Sequence, residues 1–143
     1  MKTLILTVGL PRSGKSTWAK EYSKKHGYPI VNKDSIRLAL HGQRFILEAE
    51  DMVHTITKIM VKALFDAGHD TVILDETNII KERRDAWKLS DEIEVKFKEF
   101  CLGIHVLYQR AIDTNQRDLI DVINKMAKDF EPLTEEERAR RVE

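Results

Sequence analysis

Apolar and polar positions follow two rhythms along this chain. Leu4-Ile-Leu-Thr-Val8 is almost continuously apolar and stops at Gly9, the pattern of a parallel strand buried on both faces. Tyr28–Asn32, Thr71–Leu74 and Val95–Leu102 are the other expected strands. The last alternates at its start, Val95 and Phe97 against Lys96 and Lys98, which places it near a sheet edge. Between the strands the spacing lengthens to that of helices. One helix is expected from about Lys15 to Lys25, with Trp18, Ala19 and Tyr22 on its apolar side and Gly27 at its end. A shorter one over Ser35–Leu40 stops at Gly42. Met52, Val53, Ile56, Ile59, Met60, Ala63 and Leu64 recur at three- and four-residue intervals and predict a long helix within Ile46–Ala67. Further helices are expected over Lys81–Ser90, Ile104–Ala111 and Leu119–Phe130. The charged tail Leu133–Glu143 reads as a solvated helix or a partly disordered segment.

Strands alternating with helices imply an α/β fold, a parallel sheet covered on both faces and joined by right-handed crossovers. With no internal repeat or low-complexity linker, residues 1–143 are expected to form a single domain. Ligands in such folds sit at the carboxyl ends of the strands, here just after Val8, Asn32, Leu74 and Leu102.

The first of these places carries Gly9-Leu10-Pro11-Arg12-Ser13-Gly14-Lys15-Ser16, a complete G-x-x-x-x-G-K-[ST] phosphate loop between an expected strand and an expected helix. The glycines let backbone N–H groups turn inward, and the helix start adds the positive end of its dipole. In this role Lys15 reaches the outer phosphates of a nucleoside triphosphate, Ser16 ligates Mg²⁺ and Thr17 helps at the α-phosphate. After the second strand, Asp34 and Arg37 stand three residues apart at a helix start and share a face. There the carboxylate can accept a proton from an attacking hydroxyl while the guanidinium holds the acceptor. After the third strand, Asp75 is the first candidate for the metal, with Glu76 as its rival. Arg110 and Arg117, on and after the helix that follows the fourth strand, are the candidates for closing over a transferring phosphoryl group.

Composition narrows the setting more than the activity. Lysine plus arginine (24) equals aspartate plus glutamate (24), so no broad basic face for nucleic acid is evident. The single cysteine, Cys101, excludes an internal disulfide, fits a reduced cytoplasm and reads as a core residue. No apolar run is long enough to span a membrane. The five histidines lack metal-ligand spacing, and His41 alone lies where it can meet a substrate.

The segments GLPRSGKSTWAKEY, Asp34-x-x-Arg37, ILDETN followed by KERRDAW, and the helix bearing Arg110 together resemble the small P-loop kinases of the polynucleotide 5′-kinase type. Zeta-toxin-like and antibiotic-kinase-like phosphotransferases are wider relatives. The resemblance implies a three-layer, adenylate-kinase-like P-loop NTPase fold, with a central sheet of four or five parallel strands and a lid around residues 104–128. It implies ATP and Mg²⁺ as cofactors, Asp34 as general base on a 5′-hydroxyl, and Arg37 on the acceptor's 3′-phosphate or the reacting group. It also implies an acid of the Asp75-Glu76 pair at the metal or phosphates, Thr77, Asn78 and Arg83 near the acceptor, and a lid arginine on the donor phosphates. The expected activity is ATP-dependent phosphorylation of a hydroxyl. A 5′ end of single-stranded DNA or RNA comes first, in a cleft lined by Arg37, Arg44 and Arg83. A nucleoside, sugar or antibiotic hydroxyl comes second, and an NTP-dependent switch or ATPase third.

Overall fold

The computed structural model describes residues 1–43 and 45–142; Arg44, expected beside the acceptor cleft, and Glu143 lie outside the described residues. Four strands, β1 (Lys2–Val8), β2 (Ile30–Asn32), β3 (Thr71–Asp75) and β4 (Ile93–Glu99), form one sheet in the order β2-β3-β1-β4. Every pairing is parallel, with Ile5 opposite Ile73 and Leu6 opposite both Leu74 and Phe97. The α/β parallel architecture is as expected, and β4 occupies an edge as its alternating pattern implies.

The continuous apolar runs belong to the two inner strands. Leu4, Leu6, Val8, Val72 and Leu74 are fully buried on one face, against Val53, Val61, Phe65 and Trp87. Ile5 and Ile73 line the opposite face, covered by Ala19 with Trp18 and Tyr22 of α1 (Lys15–His26). Burying such side chains contributes about 1.5–3 kcal/mol each, so both layers are anchored on β1 and β3. The carboxyl ends of these strands therefore rest on packing from both faces of the sheet. α1 ends at Gly27, whose positive φ lets its N–H close on Ser23 O.

Some expectations hold and others are corrected. The long helix expected within residues 46–67 is present as α3 (Glu50–Asp66), after α2 (Lys33–His41) and a single 3-10 turn at Leu47–Ala49. Its buried seam is Val53, Thr57, Val61 and Phe65, so Met52, Ile59 and Met60 face outward. Thr57 can lie in that seam because its hydroxyl donates to Val53 O at 2.7 Å.

α4 (Lys81–Asp85) stops well short of Ser90, because the chain turns to drive Trp87 into the core, where its indole N–H donates to Glu76 Oε1 at 3.2 Å. β4 ends at Glu99 opposite Val8, where β1 runs out of partners, and the chain beyond it turns outward. Cys101 is consequently exposed rather than a core residue.

The tail is packed rather than solvated. Leu133 and Glu137 are buried, and α7 (Glu135–Arg138) is closed by a capping box in which Thr134 and Glu137 exchange hydrogen bonds. Glu137 grips Arg84, itself 1% exposed, through bonds of 2.8 and 3.1 Å, and Arg84 also donates to the carbonyls of Asn78, Glu131 and Pro132. Beyond α7, Arg140 O accepts from Phe97 N and Val142 N donates to Phe97 O, so the tail pairs with the outer side of β4. No helix among the described residues is long and apolar enough to cross a membrane.

Candidate active site

The loop Gly9–Thr17 wraps the carboxyl end of β1. Its turn rests on two residues with positive φ, Arg12 (68°) and Gly14 (100°), and Gly14 opens α1. Gly9 is required for another reason: a Cβ there would lie 2.7 Å from Ser13 Oγ and 2.9 Å from the Phe100 carbonyl oxygen. Leu10 O, exposed by this turn, accepts from Ser13 N and from Lys15 Nζ, the latter at 2.7 Å. The lysine is 8% exposed. Burial lowers its pKa from the usual 10.5 to about 8, against the opposing pull of Asp75 and Asp34. A buried ammonium bonded, among the described residues, to a loop carbonyl is poised to meet phosphate oxygens. Ser13 Oγ, also buried, has no hydrogen-bond partner among the described residues.

Asp75 closes β3 and is 4% exposed. Its Oδ2 accepts from Ser16 Oγ and from Asn32 Nδ2, both at 2.7 Å. Glu76 faces away, taking the Trp87 indole and pairing with Lys33 at 3.4 Å. Thus Asp75, of the two candidate acids, meets the loop serine. The paired donors, one carboxylate and one hydroxyl, are hard oxygens of the kind Mg²⁺ accepts while keeping waters and phosphate oxygens as its other ligands. Among the described residues no cluster of three acidic, histidine or cysteine side chains could hold a metal by itself.

Asp34 and Arg37 lie on the first turns of α2. Asn32 caps that helix, its side chain accepting from Ser35 N at 2.7 Å while its amide steadies Asp75. Arg37 donates through Nη1 to Asp34 Oδ1 at 2.8 Å and through Nε and Nη2 to Glu50 at 2.8 and 2.6 Å. Asn32 and Glu50 were not expected here. Asn32 carried a signal, an Asn at a strand end before a helix, whereas Glu50 lies thirteen residues from Arg37 with no motif linking them.

Two helices overhang the loop. α5 (Ile104–Asp113) and α6 (Leu119–Asp129) share a small core of Leu107, Ala111 and Ile123, against which Leu10 packs. Arg110 reaches down from α5 and donates to Arg12 O at 3.0 Å. Arg117 is exposed between the two helices. A crevice of about 200 Å³ runs between loop and overhang, lined by Leu10, Ser13, Phe100, Leu102, Leu107 and Phe130. Of the remaining candidates, Thr77 accepts from Gly9 N through its carbonyl, and Asn78 is buried with its amide on Thr7 O at 2.9 Å. Arg83 is exposed on α4. His41 is half-buried, its ring nitrogens without partners among the described residues.

A parallel sheet, a buried phosphate-loop lysine and a serine–aspartate pair at the neighbouring strand end are the features of a small P-loop kinase fold. The chain belongs to the AAA domain family whose model matches residues 4–98. It is similar, at 26% identity over 134 residues, to an L-seryl-tRNA(Sec) kinase of Methanococcus maripaludis, covering 90% of this chain and 52% of that one. The chain thus spans about half the length of this curated relative. Among solved structures it is similar to a chain of a Pnkp1/Rnl/Hen1 complex, at 27% identity and a TM-score of 0.69 over 76% of this chain and 38% of that one. A gluconokinase from Sinorhizobium meliloti 1021 shares the fold, with a TM-score of 0.70 at 18% identity, over 98% of this chain and 80% of that one.

Proposed function

We propose that residues 1–143 act as one domain that transfers the γ-phosphoryl group of ATP to a hydroxyl, with a polynucleotide 5′-hydroxyl as the first acceptor. The observation that carries this is the hydrogen-bonded line Ser16–Asp75–Asn32, in which Asn32 also caps the helix that bears Asp34 and Arg37. It joins the donor loop to the helix of the candidate base, and the charges of Asp75 and Asp34 oppose the lowering of the Lys15 pKa by burial. ATP lies on Gly9–Thr17, with Lys15, Arg110 and, on closure of the lid formed by residues 104–128, Arg117 meeting its phosphates. Ser16 and Asp75 hold Mg²⁺, which neutralises phosphate charge when bound.

Asp34 takes the proton of the acceptor hydroxyl and Arg37 orients that oxygen. The new bond forms between the hydroxyl oxygen and the γ-phosphorus as the bond to the β-phosphate oxygen breaks, and ADP leaves. Thr77, Asn78 and Arg83 flank the acceptor side, with Asn78 contributing through the backbone it fixes. An RNA-borne acceptor gains support from two relatives above 25% identity, an L-seryl-tRNA(Sec) kinase and a chain of a Pnkp1/Rnl/Hen1 complex.

The test is incubation with γ-labelled ATP and a panel of 5′-hydroxyl DNA, 5′-hydroxyl RNA, nucleosides and sugars. Label on the oligonucleotides is the expected result, falling about 100-fold or more for Asp34→Asn while ATP binding holds. Label confined to small molecules would replace the polynucleotide by a small-molecule acceptor. Hydrolysis alone, indifferent to Asp34, would leave an NTP-dependent switch.

A further inference from the structure

The guanidinium of Arg37 is not presented to the acceptor space as a free fork. Its Nε and Nη2 engage both oxygens of Glu50, and its Nη1 engages Asp34. The Arg37 and Glu50 side chains are largely enclosed, 16% and 21% exposed, whereas Asp34 is open at 63%. A bidentate pair fixes the guanidinium plane, which a single contact from the exposed Asp34 does not. The Phe45 ring stands 5.9 Å from the guanidinium carbon and limits its remaining freedom. Burial opposes the charge on Arg37, but the hydrogen bonds and fields of Glu50 and Asp34 outweigh it and raise its pKa. The Arg37 hydrogen bond in turn holds the Glu50 carboxyl below its usual range, despite partial burial.

We propose that Glu50 is a positioning residue of the acceptor site: from the first turn of α3 it holds Arg37 in register with Asp34, so that the hydroxyl meets an aligned base and donor. This rests on the acceptor roles proposed above for Asp34 and Arg37. Three of the five N–H groups of Arg37 are engaged by the two carboxylates. Those left, one on each terminal nitrogen, are available to an acceptor oxygen.

The experiment is a double-mutant cycle of Glu50→Ala and Arg37→Ala, with transfer to the best acceptor of the panel and ATP affinity measured separately. Glu50→Ala is expected to lower kcat about 10–100-fold, as misplacement near the chemistry does, with ATP affinity within about twofold of wild type. In the Arg37→Ala background the same change is expected to cost less than about threefold, because Glu50 then has nothing to position. Glu50→Gln, which keeps one oxygen for the guanidinium, is expected to recover part of the loss. It serves in the same cycle should the alanine variant fold poorly. Equal losses from removing Glu50 with and without Arg37, or wild-type kcat without Glu50, would overturn this proposal alone. Wild-type transfer by Arg37→Ala would overturn the acceptor-site assignment, and this proposal with it.

Discussion

Replacing Lys15 by methionine is expected to stabilise the nucleotide-free protein while abolishing transfer. The lysine is 8% exposed, and burial lowers its pKa from 10.5 to about 8. At ~1.36 kcal/mol per pH unit, that gap corresponds to ~3 kcal/mol of native-state destabilisation. The sign follows from proton counting. Between about pH 8 and 10.5 the unfolded chain holds a proton on this lysine that the folded chain has released, so the group's contribution to stability rises with pH across that window.

At pH 7 both states are protonated, and the folded protein carries the full penalty. Methionine has a similar length and no charge, but forfeits the hydrogen bond to Leu10 O, worth ~1 kcal/mol. The net expectation is a gain of ~2 kcal/mol at pH 7, vanishing towards pH 10. Urea denaturation of both proteins without nucleotide, at the two pH values, measures it directly. A methionine variant no more stable than wild type at pH 7, or a gap that persists unchanged at pH 10, would refute the claim that the charge is held at a cost.

Three further expectations concern the loop rim and the tail. Asp75→Asn removes the charge facing Ser16, and transfer should fall about 100-fold or more with a higher Mg²⁺ requirement; an unchanged Mg²⁺ titration would count against the metal role. Gly9→Ala places a methyl 2.9 Å from the Phe100 carbonyl oxygen, and thermal unfolding should report a loss of ~1–3 kcal/mol together with weaker ATP binding. Glu137→Gln leaves Arg84 charged and buried, at ~3–5 kcal/mol. Burial opposes ionisation of Glu137, but the bonds from Arg84 and the Thr134 N–H outweigh it and hold its pKa below the usual 4.5. The wild-type advantage is therefore complete above that value and shrinks as pH falls through the lowered one, which denaturation at pH 7 and pH 3 compares.

The inner strands were legible because a strand covered on both faces admits almost nothing but apolar residues, as in Leu4–Val8 and Val72–Leu74. The phosphate loop was legible because its glycines answer to geometry: one adopts positive φ and another has no space for a Cβ. What escaped were polar residues whose partners are remote in sequence. Arg84 sits in the charged stretch Lys81–Asp85 and Glu137 in a tail that reads as solvated, and only the fold joins them across 53 residues. The α3 seam was displaced for a related reason. Thr57 is polar by composition but buried once its hydroxyl is bonded within its own helix. Meanwhile Ile59 and Met60, apolar by composition, lie outside. Glu50 was silent because one carboxylate on an amphipathic helix looks like any other until an arginine is found against it.

The pairing of the tail with β4 bears on how copies of this molecule meet. An open strand edge is a template on which another chain can build, and such growth leads to aggregation. Here Phe97, the most buried residue of β4, spends its outward N–H and C=O on Arg140 and Val142. At the other end of the sheet β2 offers only three residues. The Arg84–Glu137 clasp is therefore more than a stability element. By holding α7 down it keeps the residues that follow paired with Phe97, and loosening it is expected to open that stretch of the edge to other chains.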